Sequence, residues 1–401
     1  MKTASTQQAG DRRLLIAGAL MLAVAMGVGR FAYTPLLPVM ERDAGLSVAA
    51  AGALAFSNLL GYLVGAALAM MPFTHRRRLG ITRWAIACVV VTTALMAEAS
   101  PLWLPLRFLT GVSSGFVLVF ASSIVLERAA HRHHPTWPPL FFSGVAIGIT
   151  FSGLAVPLFV GLGGSRAAWI GIAGCSALAT GLTFRWFVDD TPAATRVPSP
   201  IEQYLPAHRT AFVWLAAVYT AEAFAYIIPA TFLVAIVSRV PSIARFASLS
   251  WVLVGVAAML ATFPWIKVGA RLGKARGLAL ALAIQTAGIL APIVSDSTAA
   301  VVIAAFALGG TFIAITLFAT GLARDMFPHR TNAAVSRLTV LYSVGQMLGP
   351  PIATQLALHS GSYGSALFCA AATAAIATVA ALLAVHEPRD ETIRKPALPT
   401  R

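Results

Sequence analysis

Gly27-Val-Gly-Arg30-Phe-Ala-Tyr33-Thr-Pro35-Leu-Leu-Pro38 ends the first long apolar run of the chain and decides how the rest of the sequence is interpreted. Its glycines and prolines weaken a helix, while Arg30 places a full positive charge in a segment apolar enough to span a bilayer. Such a charge costs about 2.5–3.5 kcal/mol on insertion scales, so ionisable residues at that depth usually face a cavity. The stretch predicts a membrane protein with an internal functional site.

The composition supports a polytopic membrane protein. Of 401 residues, 58% are hydrophobic and 11% are charged, and the mean hydropathy is +0.80, which excludes a soluble domain of this size. The formal charge of +15 does not indicate a nucleic-acid partner, because the basic residues lie in short clusters between apolar runs. Three cysteines lie singly in apolar segments and suggest neither disulfides nor a metal site: Cys88, Cys175 and Cys369.

Apolar runs separated by charges or turn residues predict an all-α chain with about twelve transmembrane helices. The predicted spans are 14–38, 47–71, 80–98, 101–126, 139–161, 166–187, 210–236, 248–266, 277–295, 299–322, 333–357 and 363–385. The 29 Lys and Arg residues concentrate at the termini and in the even-numbered loops. The residues outside this pattern are Arg42, Arg166, Arg239 and Arg245 on the other side, with Arg30 and Arg107 inside the spans. Both termini are therefore predicted to be cytoplasmic.

A polar, proline-rich stretch divides the spans six and six. It predicts an N-terminal bundle at 1–190, a cytoplasmic linker at 191–207, a C-terminal bundle at 208–390 and a cytoplasmic tail at 391–401. Phe31-Ala-Tyr33 recurs as Phe224-Ala-Tyr226, and Arg78-Leu-Gly80 recurs as Arg271-Leu-Gly273, at one offset of 193 residues. One shared offset at equivalent places in two halves is typical of a duplicated transporter.

Several motifs resemble the major facilitator superfamily, within it the bacterial YbfB/YjiJ-like branch, and the likeness covers nearly the whole chain. They are Gly29-Arg-Phe-Ala-Tyr-Thr-Pro-Leu-Leu-Pro38, Arg107-Phe-Leu-Thr-Gly111-Val-Ser-Ser-Gly115, Gly309-Gly-Thr-Phe312 and Tyr342-Ser-Val-Gly345-Gln346-Met-Leu-Gly349-Pro350. The resemblance implies two pseudo-symmetric six-helix bundles in the bacterial inner membrane. They would rock about a central cavity and expose it alternately to each side.

The chain departs from the superfamily pattern in two places, one loop and one span. The loop between spans two and three reads Met71-Pro-Phe-Thr-His75-Arg-Arg-Arg78-Leu-Gly80, without the acid that the superfamily usually carries there. The antiporter-associated motif of span five is incomplete at Gly144-Val-Ala-Ile-Gly148, so exchange transport cannot be inferred from it.

Arg30 is the first candidate for substrate binding. On a helix, Tyr33 and Thr34 lie three and four residues further on, so a cation, a phenol and a hydroxyl share one face and form a carboxylate or hydroxyl clamp. Alternatively, Arg30 snorkels to the membrane surface or ties span one to a neighbour. Arg107 in span four has five N–H donors, which suit either an anionic substrate or the backbone carbonyls of a neighbouring helix.

Glu222 is the only carboxylate placed well inside a span, and it forms one polar and aromatic stripe with Tyr219, Tyr226 and Pro229. The offset of 193 sets Gly29 against Glu222, so Arg30 and Glu222 occupy nearly equivalent points of the two halves. A carboxyl group in a low-dielectric site can bind and release a proton, which is the chemistry of proton coupling. The alternative is a static ion pair or a tyrosine-bonded acid.

Other polar and small residues complete the predicted site. Asn58, Tyr62 and Gln346 either line the cavity or hydrogen-bond a neighbouring helix. The predicted packing and gating residues are Gly61, Gly65, Gly111, Gly115, Gly148, Gly345, Gly349 and Pro350. His131-Arg-His133-His134 lacks metal-ligand spacing, so neither a metal nor another cofactor is predicted.

These features predict a secondary transporter that acts as a monomer. The arginine-rich ends of its loops are predicted to contact anionic lipid headgroups. Two arginines and one carboxylate inside the spans favour a small organic anion as the transported solute. The proton gradient is predicted to drive its transport. Efflux of drugs or metabolites by proton antiport stays open. A membrane receptor or enzyme is the alternative of another class, but the chain lacks clustered ligands, an activated nucleophile or a large soluble output domain.

Overall fold

The computed structural model describes residues 2–98, 101–134, 136–189, 206–327 and 331–385. These residues form helices joined by short turns, with no β-strand among them, which confirms the all-α prediction. Residues 191–205 of the predicted linker and the predicted tail at 391–401 lie outside the described residues. The boundaries of the two bundles therefore stay predictions.

Thirteen helices follow one another along the described chain. They are α1 (Lys2–Leu22), α2 (Tyr33–Ala44), α3 (Val48–Ala69), α4 (Pro72–His75), α5 (Arg78–Leu95), α6 (Trp103–His131), α7 (Trp137–Phe184), α8 (Pro206–Ser238), α9 (Ala247–Leu272), α10 (Lys274–Val294), α11 (Thr298–Met326), α12 (Thr331–Ser360) and α13 (Gly364–Ala384). A π-helical turn, Ala23–Val28, connects α1 to α2, and both helices with this turn form one membrane crossing.

Ten helical segments among the described residues are long and apolar enough to cross a membrane. One of them, α7, has 48 residues and bends at Gly163 and Gly164, so it crosses twice. The 30-residue α12 is not among the ten; it carries polar residues such as Arg337 and Gln346, yet it has the length of a crossing. With both additions the described chain makes the twelve crossings that the sequence predicts.

Local sequence determines where several crossings begin and end. Gly45 ends α2 in the left-handed conformation, at φ 64°, which glycine adopts without steric cost. Ser47 then caps α3 by accepting a hydrogen bond from the Ala50 N–H at 3.2 Å, and Ser297 caps α11 in the same way. At the bend in α7 the backbone of Gly164 is also left-handed.

Small residues bring α3 and α6 into backbone contact. A methyl group added at Gly61 would meet the carbonyl oxygen of Phe108, and one added at Gly111 would meet the carbonyl oxygen of Asn58. Gly65 and Gly115 continue the same seam one turn further along each helix. Such close approach is how membrane helices pack when lipid removes the hydrophobic driving force between them.

We call the membrane face where α1 begins the terminal face and the other the opposite face. The alternation of helices places the α2–α3, α8–α9 and α12–α13 turns at the opposite face. The first seven helices contact the last six through the pairs α2 with α8, α3 with α12 and α7 with α9. These contacts place residues of both halves around one central region.

Candidate functional site

The first membrane crossing is broken near its middle, and this break positions Arg30. The N–H of Gly29 bonds the carbonyl of Val24 at 2.9 Å, and that of Phe31 bonds Met26 at 3.1 Å. Both bonds span five residues, which widens the helix into a π turn. Pro35 has no backbone N–H to donate. The Thr34 N–H donates to the Phe31 carbonyl at 3.2 Å, three residues back, so the carbonyl of Arg30 lacks its usual helical partner.

Arg107 on α6 supplies a partner instead. Its Nη1 donates to the carbonyl oxygen of Gly29 at 2.9 Å, and its Nη2 donates to that of Arg30 at 3.4 Å. The guanidinium also lies 4.8 Å from the centre of the Tyr33 ring. Of the two interpretations left open by the sequence, the geometry favours the backbone-binding one, because both hydrogen bonds of the Arg107 guanidinium go to the broken helix.

Arg30 leaves more buried donor atoms without partners than Arg107 does, two nitrogens against one. Its side chain is buried, with 7% of the residue exposed, and its guanidinium lies 5.1 Å from the ring centres of both Phe31 and Tyr62. Its Nε and Nη2 atoms have no hydrogen-bond partner among the described residues. A buried guanidinium held by aromatic faces and lacking an anion is costly unless another group binds it. Arg30 is therefore the strongest candidate for contact with a solute.

A cavity adjoins both arginines at the interface of the two halves. It is lined by Arg30, Phe31, Tyr33, Thr34, Ala55, Asn58, Leu59, Arg107, Ile227, Ala230 and Thr231. Five of the predicted binding residues thus share one cavity, and its other walls are mainly apolar. Its volume of about 20 Å³ accommodates a water molecule but no organic solute. The structure therefore shows a conformation closed around the site.

Three predicted binding residues use their polar groups on backbone carbonyls. The Tyr33 hydroxyl donates to Ala51 at 3.0 Å, Thr34 donates to Ala230 at 2.6 Å, and the Asn58 amide donates to Arg107 at 3.0 Å. Each bond links two different helices. These side chains shape the cavity, and the buried donors left without partners among its described lining residues are Nε and Nη2 of Arg30 and Nε of Arg107.

Glu222 lies in the C-terminal half and is fully buried. Its Oε1 accepts a hydrogen bond from Nε2 of Gln285 on α10 at 3.1 Å. The Oε1 atom of Gln285 in turn lies 2.9 Å from the hydroxyl of Thr311 on α11. The other carboxyl oxygen, Oε2, has no hydrogen-bond partner among the described residues.

Arg30 and Glu222 do not form an ion pair in this structure. The Glu222 carboxyl group points toward Gln285 instead of facing Arg30 across the cavity. Tyrosines occupy the region between them: Tyr226 stacks on Phe312 with ring centres 5.4 Å apart, and it interacts electrostatically with both Arg30 and Glu222. The static pair that the sequence left open between these two residues is therefore absent.

Tyr219 and Tyr342 form the second part of this aromatic layer. Their rings stack at 4.3 Å, and the Tyr219 hydroxyl donates to the Thr316 hydroxyl at 3.1 Å. Gln346, one turn along α12 from Tyr342, is buried, with 3% exposed. The residues predicted on spans seven and eleven are thus buried, and Tyr219 connects α8 with α11 and α12.

The remaining small residues predicted for packing lie in close backbone contacts. A methyl group on Gly148 would meet the backbone of Ala23 and Gly27, so α7 supports the π turn beneath Arg30. A methyl group on Gly345 would meet the Thr220 carbonyl, and one on Gly349 would meet Ile227. The carbonyl of Pro350 approaches Gly52 on α3. These residues let α7, α8 and α12 approach the site.

At the opposite face, side chains connect the two halves. Arg239 lies 3.3 Å from Glu41, and its guanidinium lies 4.7 Å from the centre of the Tyr363 ring. Burial raises the pKa of the Tyr363 hydroxyl to about 12. Together with the bond from Thr34 to Ala230, these contacts close the opposite face above the cavity.

At the terminal face, Arg78 binds two acids from other segments. It lies 2.6 Å from Asp189 and 2.8 Å from Glu127, and its Nη1 donates to Ser123 at 2.9 Å. The loop lacks the superfamily's own acid, yet its arginine finds carboxylates at the ends of α6 and α7. Neither acid can be recognised from the sequence as a partner, because its proximity to Arg78 exists only in the folded chain.

Gln285 and Thr311 were also missed. Gln285 interrupts an apolar run as Gln346 does, and an uncompensated polar residue in a span is a signal of a buried partner. That signal was available in the sequence, but it does not identify Glu222 as the partner.

Comparisons with known proteins agree with this geometry. Residues 22–382 match the family described as "Uncharacterised MFS-type transporter YbfB". No curated protein matches the sequence significantly. Among solved structures, a mutant of the nucleoside transporter NupG has a TM-score of 0.76 at 13% identity, covering 93% of this chain and 99% of that chain.

Two further solved structures have the same fold. A D-xylose-proton symporter has a TM-score of 0.71 at 15% identity, covering 93% of this chain and 97% of that chain. A bacterial homolog of the human lysosomal transporter Spinster, inward-facing and occupied, has a TM-score of 0.69 at 17% identity, covering 93% and 96%. At these identities the likeness shows the fold alone.

Proposed function

The chain belongs to the MFS-type transporter family described by YbfB, and on that premise we propose that it moves a small organic anion together with protons. It is a multi-pass membrane protein and a secondary transporter, not an enzyme. In the proposal, Arg30 binds the anion and Glu222 carries the proton. The cargo is exposed to each side in turn as the two halves rock about the cavity.

One observation carries the choice of an anion: Arg30 keeps two buried guanidinium nitrogens without partners beside the cavity. A carboxylate presents two oxygens to such a guanidinium, and paired N–H···O bonds of this kind are among the strongest in proteins. The described residues that line the cavity include two arginines and no carboxylate. An anionic group from the solute would therefore neutralise charge that the cavity itself leaves unbalanced.

The walls of the cavity favour an organic body on that anion. Phe31, Ala55, Leu59 and Ile227 present apolar surface around the arginine. Ligand sites of this kind combine mostly apolar walls with a few polar groups that fix orientation. Tyr62 lies against the Arg30 guanidinium, and we assign it, together with Tyr226 and Gln346, to the walls of the expanded site when the halves separate.

Glu222 is proposed as the proton carrier because it is a fully buried acid with no cation bound to it among the described residues. A carboxyl group in such surroundings changes charge by binding a proton, and this change alters its hydrogen bonds. Tyr226 lies between it and Arg30, so the anion site and the proton site are separate but adjacent.

The remaining features of the proposal follow from charge. Lys and Arg concentrate on the terminal face, so we place that face and both termini in the cytoplasm of a bacterial inner membrane. Exposed loop arginines such as Arg76 and Arg77 would bind anionic lipid headgroups. The transporter is proposed to act as a monomer, with its bundles at 1–190 and 208–390.

The test is solute uptake by proteoliposomes that contain the purified protein. A panel of small monocarboxylates, dicarboxylates, sugars and cationic drugs would be offered to wild type, Arg30→Gln and Arg166→Gln. Arg166 is exposed, pairs with Glu98 and lies far from the cavity, so its variant is the matched control. We expect a carboxylate to be taken up by wild type and the control, and its binding to fall about 100-fold in Arg30→Gln because a charge-assisted pair is lost.

Two outcomes would contradict the proposal. Uptake of the carboxylate with unchanged affinity in Arg30→Gln would remove Arg30 from the site. Transport of a sugar or a cationic drug, with no carboxylate transported, would reject the organic-anion class; a drug moving against protons would establish the efflux alternative.

A further inference from the structure

We infer that Gln285 is a positioning residue for the proton site: its side-chain amide turns over when Glu222 gains or loses a proton, and so reports the charge of Glu222 to α11. The inference rests on the proposed proton coupling and adds to it a second residue and a physical step. It is carried by the hydrogen-bond geometry of three buried side chains on three helices.

The three side chains form a short chain of hydrogen bonds. Glu222 on α8, Gln285 on α10 and Thr311 on α11 are each at most 1% exposed. Gln285 Nε2 lies 3.1 Å from Glu222 Oε1, and Gln285 Oε1 lies 2.9 Å from Thr311 Oγ1. The amide is thus held between an acid at one end and a hydroxyl at the other, and both hydrogen bonds are buried from solvent.

The observed orientation of the amide fits the ionised acid. A carboxylate only accepts hydrogen bonds, so the NH2 group of Gln285 must face it. The amide oxygen then faces Thr311, whose hydroxyl hydrogen donates to it. In this state Glu222, Gln285 and Thr311 are joined by two hydrogen bonds that both run toward the carboxylate.

In the proposed step the proton binds the oxygen that faces Gln285, and protonation there reverses the order. One proton binds Glu222 Oε1, and the new O–H bond can donate to an amide oxygen but cannot accept from an amide hydrogen through that proton. When the Gln285 amide turns by a half rotation, its oxygen accepts from Glu222 and its NH2 group donates to Thr311 Oγ1. The Thr311 hydrogen then goes to the carbonyl oxygen of Ala307, which already lies 2.6 Å away.

No atom is left over in either state. The proton taken up from water resides on Glu222, each hydrogen bond in the chain reverses direction, and no covalent bond besides O–H forms or breaks. Thr311 suits this role because a hydroxyl both donates and accepts, and because a second acceptor stands within reach on its own helix.

The other groups that face Glu222 are tyrosines and not ions. Tyr219 and Tyr226 lie on its own helix, and Tyr342 approaches it from α12. Arg30 is the cation that acts on Tyr226 and Tyr342, and it makes no ion pair with the acid. From α10 and α11 the facing groups are the Gln285 amide and the Thr311 hydroxyl. The Tyr342 hydroxyl can also donate or accept by rotation, but the Gln285 amide is the group hydrogen-bonded to both Glu222 and Thr311.

The relay ends on a helix that reaches the aromatic layer. Phe312, next to Thr311, stacks on Tyr226, and Thr316 one turn later accepts from Tyr219. A reversal of the bond between Gln285 and Thr311 therefore changes the link between α10 and the helix that supports both tyrosines. This places the proton signal beside the interface at which the halves move.

The experiment is infrared difference spectroscopy of the purified protein in lipid bilayers between acidic and alkaline pH, with glutamine side-chain amides labelled with ¹⁵N. It needs no solute. The carboxyl C=O band of Glu222 is identified by its loss in Glu222→Gln. We expect a glutamine amide band to change over the same pH range as this carboxyl band, and that change to disappear in both Gln285→Leu and Glu222→Gln.

Thr286→Val is the matched control, because Thr286 is adjacent on the same helix and donates to Leu282 of its own backbone. Its amide change should equal that of wild type. A carboxyl band that titrates while no glutamine amide band changes, or a change that survives in Gln285→Leu, would overturn the inference and leave the proton-carrier role of Glu222 intact. A Glu222 carboxyl band that stays constant from about pH 4 to about pH 10, a range that spans ordinary and strongly shifted acids, would reject the proton-carrier role and the relay together.

Discussion

The two halves of the molecule place their buried charges in opposite surroundings. In the N-terminal half, Arg30 follows a broken stretch of helix and keeps two nitrogens without partners. In the C-terminal half, Glu222 lies within the continuous helix α8 and is held by a side-chain amide. Gly29 and Glu222 are related by the same 193-residue offset that relates the repeated motifs. Equivalent points of a duplicated fold have thus acquired different chemistry, one suited to an anion and one to a proton.

The largest expected effect comes from removing the acid of the C-terminal half. Glu222→Gln keeps the shape of the side chain but cannot exchange a proton. We expect accumulation against a gradient to vanish while exchange of labelled for unlabelled solute persists, because one proton per solute supports about a tenfold gradient per pH unit. Uptake and counterflow in proteoliposomes measure both.

Glu98→Gln is the control for that prediction, since Glu98 is exposed and pairs with Arg166. It should accumulate solute as wild type does. Accumulation that persists in Glu222→Gln would show that the acidic half does not couple transport to protons, and the contrast between the halves would then be structural only.

The second prediction concerns the support of the basic half. Arg107→Met would leave the Gly29 and Arg30 carbonyls without their partner, and each such buried group costs about 1–3 kcal/mol. We expect the affinity for the carboxylate to fall at least about tenfold, with a smaller loss in Arg107→Lys, which keeps the charge and one bond. Equilibrium binding measures the effect; an unchanged affinity in Arg107→Met would show that the broken helix holds Arg30 without it.

The third prediction tests the scaffold beneath the basic half. Gly111→Ala places a methyl group against the carbonyl of Asn58, whereas Gly181→Ala places one where nothing lies within 4 Å. Overpacking of this kind costs about 1–3 kcal/mol, so Gly111→Ala should lower the unfolding temperature in detergent while Gly181→Ala should not. Equal unfolding temperatures would mean that α3 and α6 are not in contact through their backbones.

The smallest effect is expected at the closed opposite face. The Arg239–Glu41 pair is partly exposed, so its loss in Arg239→Gln is worth about 0.5 kcal/mol. We expect an impermeant maleimide to label Thr231→Cys, which lines the cavity, about twice as fast in that background, with the three native cysteines replaced. Arg245→Gln, which removes an arginine stacked on Phe246 in the same turn, is the control. Equal rates in both would show that the pair does not hold this face closed.

Much of the architecture could be predicted because it is encoded locally. Apolar runs of membrane length predicted twelve crossings, and the residues at Gly45 and Ser47 mark the turn between the first two. The family could be identified from short motifs for the same reason. Arg30 and Glu222 could be singled out as candidates because a charge in an apolar run is conspicuous whatever its neighbours are.

The sequence by itself determined the membrane class, the number of crossings and the identity of the three deep charges, Arg30, Arg107 and Glu222, since these depend on hydropathy and on the cost of burying charge. Only the tertiary structure decided what each charge contacts. Arg107 binds the backbone of the broken helix, Glu222 binds Gln285 and not Arg30, and Arg78 binds Glu127 on α6 and Asp189 beyond the end of α7. Each partner lies tens of residues away in sequence, and the pairing follows from which helix faces meet, which no local pattern specifies.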